Sequence, residues 1–215
     1  MDIFSPLELG RISLRNRVIM APMTRSRAED GALPGDLVQE YYRQRAGAGL
    51  IITEGIAPSA DGLGYCRTPG IYSLEQSRAW RRVAQAVHNE GGAIVAQIMH
   101  VGRVANALNK PPGSETVAPS AIAARGEMYT DEAGMQPFDT PRALALDEIP
   151  AVIAQYRQAT ERALDAGFDG VELHCTSGYL PAQFLSTGSN QRTDAYGGGA
   201  VGRCRFCLLY TSPSP

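Results

Sequence analysis

Short apolar runs alternate with amphipathic stretches along most of the chain. The runs are rich in aliphatic and β-branched residues, which is typical of parallel strands that are buried on both faces. They cover residues 17–21, 50–53, 93–99 and 170–174. The pattern therefore predicts four strands, each followed by enough chain to form a helix.

Helix signals lie between these strands. Asp36 is expected to cap a first helix over about residues 36–46, and Asp147 to cap a third helix that ends at Gly167. Ser73 and Gln76 match a capping box at the start of the second helix. The predicted buried faces consist of Trp80, Val83, Ala84 and Val87 in the second helix, and of Val152, Tyr156, Ala159 and Ala163 in the third. Residues 104–145 form a Pro- and Gly-rich excursion between these two helices.

Alternating strands and helices predict an α/β fold with a parallel sheet. An open, doubly wound sheet would require a G-x-G-x-x-G loop after the first strand, where the chain has Pro22-Met23-Thr24-Arg25 instead. Polar or small residues follow the strands, namely Thr24, Glu54, Gly55, Gln97 and His174. Because barrels gather their chemistry at the carboxyl ends of strands, we favour a TIM (β/α)8 barrel, of which only four strands can be counted in this chain.

Composition excludes several classes of function. With 215 residues, 44% of them apolar, and a net charge of −2, the chain suits a globular domain and gives no reason to expect nucleic acid or a membrane as partner. The N-terminus lacks the pattern of a secretory signal, so we expect a cytoplasmic protein. Cys204 and Cys207 form a C-x-x-C without further ligands, so no metal is expected. The single lysine, Lys110, lies in a loop and disfavours a Schiff-base aldolase or a similar barrel enzyme without flavin.

A series of motifs in a fixed order resembles the Old Yellow Enzyme family from about Ile3 to Phe206. The motifs include NRVIMAPMTRSRA, GLIITEG, HVGR, VAPSAI, AGFDGVELH, GYL and SNQRTDAYGG. The resemblance implies an FMN-binding TIM barrel that uses NADH or NADPH to reduce activated C=C bonds. The implied substrates are small molecules such as α,β-unsaturated carbonyl, nitro or quinone-like compounds.

The same resemblance implies a flavin site at the strand ends. Pro22, Met23 and Thr24 match the segment that runs along the flavin, with the Thr24 hydroxyl near the flavin O4. Gly55 matches a position where the ring approaches the backbone, which only a small residue permits. Gln97 matches the amide that pairs with the pyrimidine edge of the ring.

The segment from His174 to Leu180 matches the family motif H-x-x-N/H-G-Y-L. His174, which is also expected to contact the flavin, and Ser177 would donate hydrogen bonds to the substrate oxygen, where negative charge develops. Ser177 departs from the family pattern of Asn or His and has a shorter reach. Tyr179 would deliver a proton to the α-carbon. Tyr65 matches a pocket tyrosine of some members, although an ordinary loop tyrosine fits the sequence equally well.

The resemblance ends after Phe206. We expect residues 1–206 to be the N-terminal half of the barrel. Residues 207–215 look like a translated sequencing adapter, and a natural divergent tail is the alternative. The family function therefore has an alternative for this chain, namely a truncated, catalytically silent fragment that does not retain FMN. The physiological substrate, the choice between NADH and NADPH, and the oligomeric state stay open.

Overall fold

The structure is a computed structural model that describes residues 2–211, with side chains up to residue 207. Residues 212–215 of the expected tail lie outside the described residues. The strands are β1 Leu7–Leu9, β2 Ile12–Leu14, β3 Ile19–Met20, β4 Leu50–Ile56, β5 Ile94–Ile98, β6 Val117–Ala118, β7 Glu127–Thr130, β8 Gly134–Pro137, β9 Arg142–Ala143 and β10 Gly170–Leu173. The α-helices are α1 Asp36–Arg43, α2 Leu74–Asn89, α3 Ile149–Asp165, α4 Leu180–Leu185 and α5 Ala200–Thr211.

The chain forms two compact units. The first consists of residues up to 56 together with 67–98 and 159–173, and the second of residues 57–66, 99–158 and those from 174 onward.

A parallel four-stranded sheet forms the centre of the first unit. Its order is β3-β4-β5-β10, so neighbouring strands follow one another along the chain. A doubly wound sheet reverses its strand order at one point, whereas a barrel does not. All four predicted strands are present, and β4 continues past the predicted residue 53 to Ile56.

The helices of the first unit confirm most of the predicted signals. Ser73 and Gln76 form a reciprocal capping box at the start of α2. The predicted apolar face of α2 is buried, including Trp80, which is fully inaccessible. The predicted cap Asp36 is wrong by one position, because Gly35 is the N-cap of α1 and Asp36 is its first helical residue. Asp36 still lies where a negative charge favours the helix dipole.

Two antiparallel hairpins were not anticipated. In the first unit, β1 and β2 pair ahead of the first predicted strand, and Leu14 packs there in a cluster with Leu50 and Val95. In the second unit, β7 and β8 pair within the Pro- and Gly-rich excursion. Both hairpins consist of very short strands, which leave little periodic signal in a sequence.

The second unit also corrects the predicted start of α3. This helix begins at Ile149, so Asp147 lies in the preceding turn and is not adjacent to the helix. Glu148 accepts a hydrogen bond from the Ala145 N–H at 2.6 Å and forms an ion pair with Arg142 at 2.8 Å. In α4 and α5, the rings of Phe184 and Phe206 stack at 4.2 Å.

Three further findings concern residues 2–211. No helix in this range has the length and apolar character needed to cross a bilayer. Within the same range, no cluster of three or more His, Cys, Asp or Glu side chains has the geometry of a metal site. Cys204 and Cys207 do not form a disulfide bond with each other.

Candidate active site

The predicted flavin residues Gly55 and Gln97 are register partners across β4 and β5. Paired residues of neighbouring strands project to the same face of a sheet, so the position beside the Gln97 side chain carries no side chain. The Gln97 amide is almost fully buried and donates from Nε2 to Glu172 Oε1 at 3.0 Å. The backbone N–H of Gln97 donates to Thr53 Oγ1 at 3.0 Å. The side-chain amide and the backbone of Gln97 are therefore each held by one hydrogen bond.

Pro22, Met23 and Thr24 follow directly after β3 in backbone that belongs to no strand or helix. Met23 and Thr24 are exposed, with 45% of the Met23 surface accessible. This segment belongs to the same unit as Gly55 and Gln97. Its side chains are thus available to a ligand.

Glu54 is a residue whose importance was not predicted from the sequence. It lies one residue before Gly55, and only 1% of its surface is exposed. Burial raises the pKa of its carboxyl to about 7, although hydrogen bonds from the Arg25 backbone and Tyr42 act to lower it. A charged residue inside an otherwise apolar strand was the one signal that could have identified it.

In the second unit, His174 follows the last residue of β10 and contacts Tyr179 edge to face, with ring centroids 4.8 Å apart. The Thr176 N–H points at His174 Nδ1, with the two nitrogens 3.4 Å apart. With Nδ1 as the acceptor, a neutral imidazole carries its proton on Nε2 and can donate from there. This tautomer is the one that the predicted donor requires.

Ser177 is exposed, and its hydroxyl lies 3.4 Å from Thr176 Oγ1. Its backbone has a φ of 55°, in the left-handed region that serine seldom occupies. Asn and His, the residues of the family pattern, adopt this region more readily than most others. The departure at this position therefore affects both the reach of the donor and the backbone conformation.

The hydroxyl groups of Tyr65 and Tyr179 lie 3.0 Å apart, within hydrogen-bond distance. Their rings meet edge to face at 6.4 Å, and both pack against a cluster that contains Met99 and Val101. Burial, followed by the hydrogen bond with Tyr179, raises the pKa of Tyr65. Tyr65 thus contacts the predicted proton donor directly.

The sequence model described as the NADH:flavin oxidoreductase / NADH oxidase family matches residues 2–210. The chain belongs to this family. Within the family, 12-oxophytodienoate reductase 7 from Oryza sativa subsp. japonica is 44% identical over 97% of this chain and 54% of its own length. The Old Yellow Enzyme resemblance is confirmed.

Solved members of the family share the fold. Morphinone reductase in complex with tetrahydroNAD is 51% identical with a TM-score of 0.90, over 97% of this chain and 58% of that structure. The Old Yellow Enzyme homologue from Zymomonas mobilis is 44% identical with a TM-score of 0.93, over 98% of this chain and 59% of that structure. The chain therefore has the fold of part of a TIM barrel, as predicted, and spans little more than half the length of these relatives.

Proposed function

We propose that the full-length protein is an FMN-dependent oxidoreductase that reduces activated C=C bonds of enones or nitro compounds with NADH or NADPH. The observation that carries this proposal is the group formed by Tyr179, Tyr65 and His174. In this group, Tyr179, whose hydroxyl can deliver a proton to a substrate, lies next to the His174 imidazole, which can donate a hydrogen bond to that substrate. The names of the reductases reported above support the same reaction class.

The strand-end residues of the first unit fit a flavin. A flat ring with an amide-like edge requires a paired donor and acceptor and a gap in the side-chain surface, and the pair of Gln97 and Gly55 supplies both. Thr24 is exposed in the same unit and would contribute a hydroxyl. When bound, FMN would supply hydride chemistry, with the nicotinamide as reductant.

Each residue of the second unit has a separate task in this proposal. His174 donates from Nε2 to the substrate oxygen and stabilises the negative charge that develops there. Ser177 is the second donor, directly or through a water molecule. Tyr179 gives its proton to the α-carbon, and Tyr65 can then donate to the oxygen that has lost the proton. Use of NADPH, cytoplasmic location and activity on quinone-like compounds remain predictions.

The experiment is a pair of half-reactions followed by the visible absorbance of the flavin. The full-length protein should copurify with FMN, become colourless with NADH or NADPH, and regain colour with cyclohexenone. A protein that contains no flavin and acquires none on incubation with FMN would contradict the proposal. If the 215-residue chain purifies without FMN while the full-length protein retains it, the silent fragment is the better description of this chain. Reduction of the flavin without reoxidation by any enone or nitro compound would restrict the protein to another acceptor.

A further inference from the structure

Glu54 is a buried acid that the proposed reaction does not use. It lies in β4 between Thr53 and Gly55, and both neighbours are also buried. A carboxyl group in such a position is costly unless its oxygens receive hydrogen bonds. The partners of this carboxyl therefore indicate why an acid is present.

One oxygen of the carboxyl accepts a hydrogen bond from the segment that follows β3. The Arg25 N–H donates to Glu54 Oε2 at 3.1 Å. The stretch from Ala21 to Ala28 contains no helix or strand residue, so its backbone groups need partners outside a ladder. The next residue, Ser26, has a φ of 51°, which a free segment would seldom adopt. The Glu54 carboxyl thus holds an irregular backbone at the residue after Thr24.

The other partners of Glu54 come from α1. The Tyr42 hydroxyl accepts the Glu54 N–H at 2.7 Å and lies 3.5 Å from Glu54 Oε1. The Arg25 guanidinium lies over the Tyr41 ring at 5.1 Å. A cavity of about 200 Å³ adjoins these groups, with Arg25, Arg27 and Tyr41 among its lining residues and Glu54 on its wall. Tyr42 and the Arg25 backbone therefore contact the carboxyl, and Tyr41, Arg25 and Arg27 line the cavity that it shares.

We propose that Glu54 is a positioning residue that fixes the backbone of Thr24 and Arg25 beside β4 and so orients the Thr24 hydroxyl for the flavin. The proposal rests on the proposed function for its flavin part. The Arg25 nitrogen, whose N–H binds Glu54, is separated from the Thr24 Cα by only two covalent bonds. Holding the Arg25 N–H therefore leaves Thr24 little freedom to move. Glu54 also directly precedes Gly55 in the chain. The one side chain is thus next to two predicted flavin contacts, Gly55 and Thr24.

The first measurement concerns the backbone and needs no flavin. Nuclear magnetic resonance should show a slowly exchanging Arg25 amide whose chemical shift follows the ionisation of Glu54 near neutral pH. In Glu54→Gln the amide oxygen can still accept the bond, so protection should remain while the pH dependence disappears. In Glu54→Ala the Arg25 amide should exchange at least about tenfold faster, since a hydrogen bond to a charged acceptor is lost.

The second measurement is made on the full-length protein. Glu54→Ala should weaken FMN binding about tenfold or more and shift the flavin reduction potential, while Glu54→Gln should stay within about twofold of the wild type. Tyr42→Phe is the matched control, since it removes a polar partner of the same carboxyl and leaves the Arg25 contact in place. It should alter FMN affinity much less than Glu54→Ala.

Three results would overturn the proposal. The first is an Arg25 amide that exchanges equally slowly in Glu54→Ala and in the wild type. The second is an unchanged FMN affinity and reduction potential in a Glu54→Ala variant whose Arg25 amide has lost its protection. The third is an equal loss of FMN affinity in Tyr42→Phe and Glu54→Ala. If Glu54→Ala does not fold, Glu54→Asp replaces it, because its shorter side chain withdraws the carboxylate from Arg25. A wild-type protein that binds no FMN would refute the proposed function and the flavin part together. The amide measurement would still report whether Glu54 holds the backbone.

Discussion

The two groups of candidate residues differ in what holds them in place. In the first unit, Gly55 and Gln97 belong to paired parallel strands. The buried Glu54 carboxyl accepts a hydrogen bond from the Arg25 N–H, and the half-buried Glu172 carboxyl accepts one from the Gln97 amide. In the second unit, the residues from His174 to Tyr179 lie between β10 and α4, where Ser177 has a positive φ. The first group is fixed by the sheet, and the second by contacts between side chains.

This difference explains where the chain departs from its family. A change at a strand position disturbs register and packing, whereas a loop on a rigid scaffold can change and still fold. The one departure among the predicted site residues, Ser177, lies in the loop and is exposed. We therefore expect changes in the loop to alter catalysis with little effect on stability, and changes at Glu54 to alter stability as well.

The largest effect is expected from Tyr179→Phe in the loop. The variant keeps the ring and its contact with His174 but removes the proton, so reoxidation by an enone should slow by about 10²–10⁴-fold. Reduction of the flavin by NADH or NADPH needs no such proton and should change little. Stopped-flow absorbance separates the two half-reactions. If both half-reactions slow equally, Tyr179 has a packing role, and the expected contrast between a catalytic loop and a structural sheet does not hold.

The second effect concerns stability at Glu54. Its pKa rises from 4.5 to about 7 on folding, so the folded state binds the proton more tightly and stability falls as pH rises through this interval. Glu54→Gln removes the titration. Its free energy of unfolding relative to the wild type should therefore rise by about 3 kcal/mol between pH 4.5 and pH 8. Urea unfolding at the two pH values measures the change.

The control for this experiment is Glu75→Gln, which removes an exposed acid from the first turn of α2. Its stability relative to the wild type should change far less between the same pH values. A Glu54→Gln difference that does not depend on pH would mean that water reaches the carboxyl. In that case the surroundings of Glu54 in the first unit would be less rigid than its place in the sheet suggests.

Regular elements with strong local signals were predictable from the sequence. The capping box of Ser73 and Gln76 and the buried face of Trp80 were correct because both depend on residues within one or two turns of a helix. The four parallel strands were predicted correctly from their continuous apolar runs. Burial on both faces was correct for β4 and β5 but not for β3 and β10, which are partly exposed. The polar residues at the strand ends favoured a barrel over an open sheet, and the resemblance added the flavin site.

Features that depend on distant residues were not predictable. The hydrogen bond from Arg25 to Glu54 joins residues far apart in sequence, and so does the contact between the hydroxyls of Tyr65 and Tyr179. No local pattern marks either pair. The cap at Asp36 failed for a different reason, since an acidic residue is favourable both at the cap and in the first turn. Asp147 failed because α3 begins one residue later than a cap at this position would require. Tertiary contacts then decide the boundary.

The third prediction concerns Tyr65→Phe, which tests how the loop is held. If Tyr65 donates to the negatively charged oxygen of Tyr179 after proton transfer, its loss should slow reoxidation by at least about tenfold, since a hydrogen bond to a charged group contributes about 1.5–3 kcal/mol. The double variant with Tyr179→Phe should be no slower than Tyr179→Phe alone, since the two hydroxyls act on one step. Additive losses would show that Tyr65 acts on the substrate separately.

The smallest effect is expected from Ser177→Asn. Asparagine adopts the positive φ of this position more readily than serine and extends an amide N–H further toward a substrate oxygen. We expect the KM for an enone to fall a few-fold, with stability higher by at most about 1 kcal/mol. Ser177→Gly is the matched control, because it relieves the backbone without supplying a donor. If the glycine variant lowers KM as much as the asparagine variant does, the backbone conformation at position 177, and not the reach of the donor, limits substrate binding. If both variants raise KM, the serine hydroxyl already serves as the second donor and the departure from the family pattern is functional.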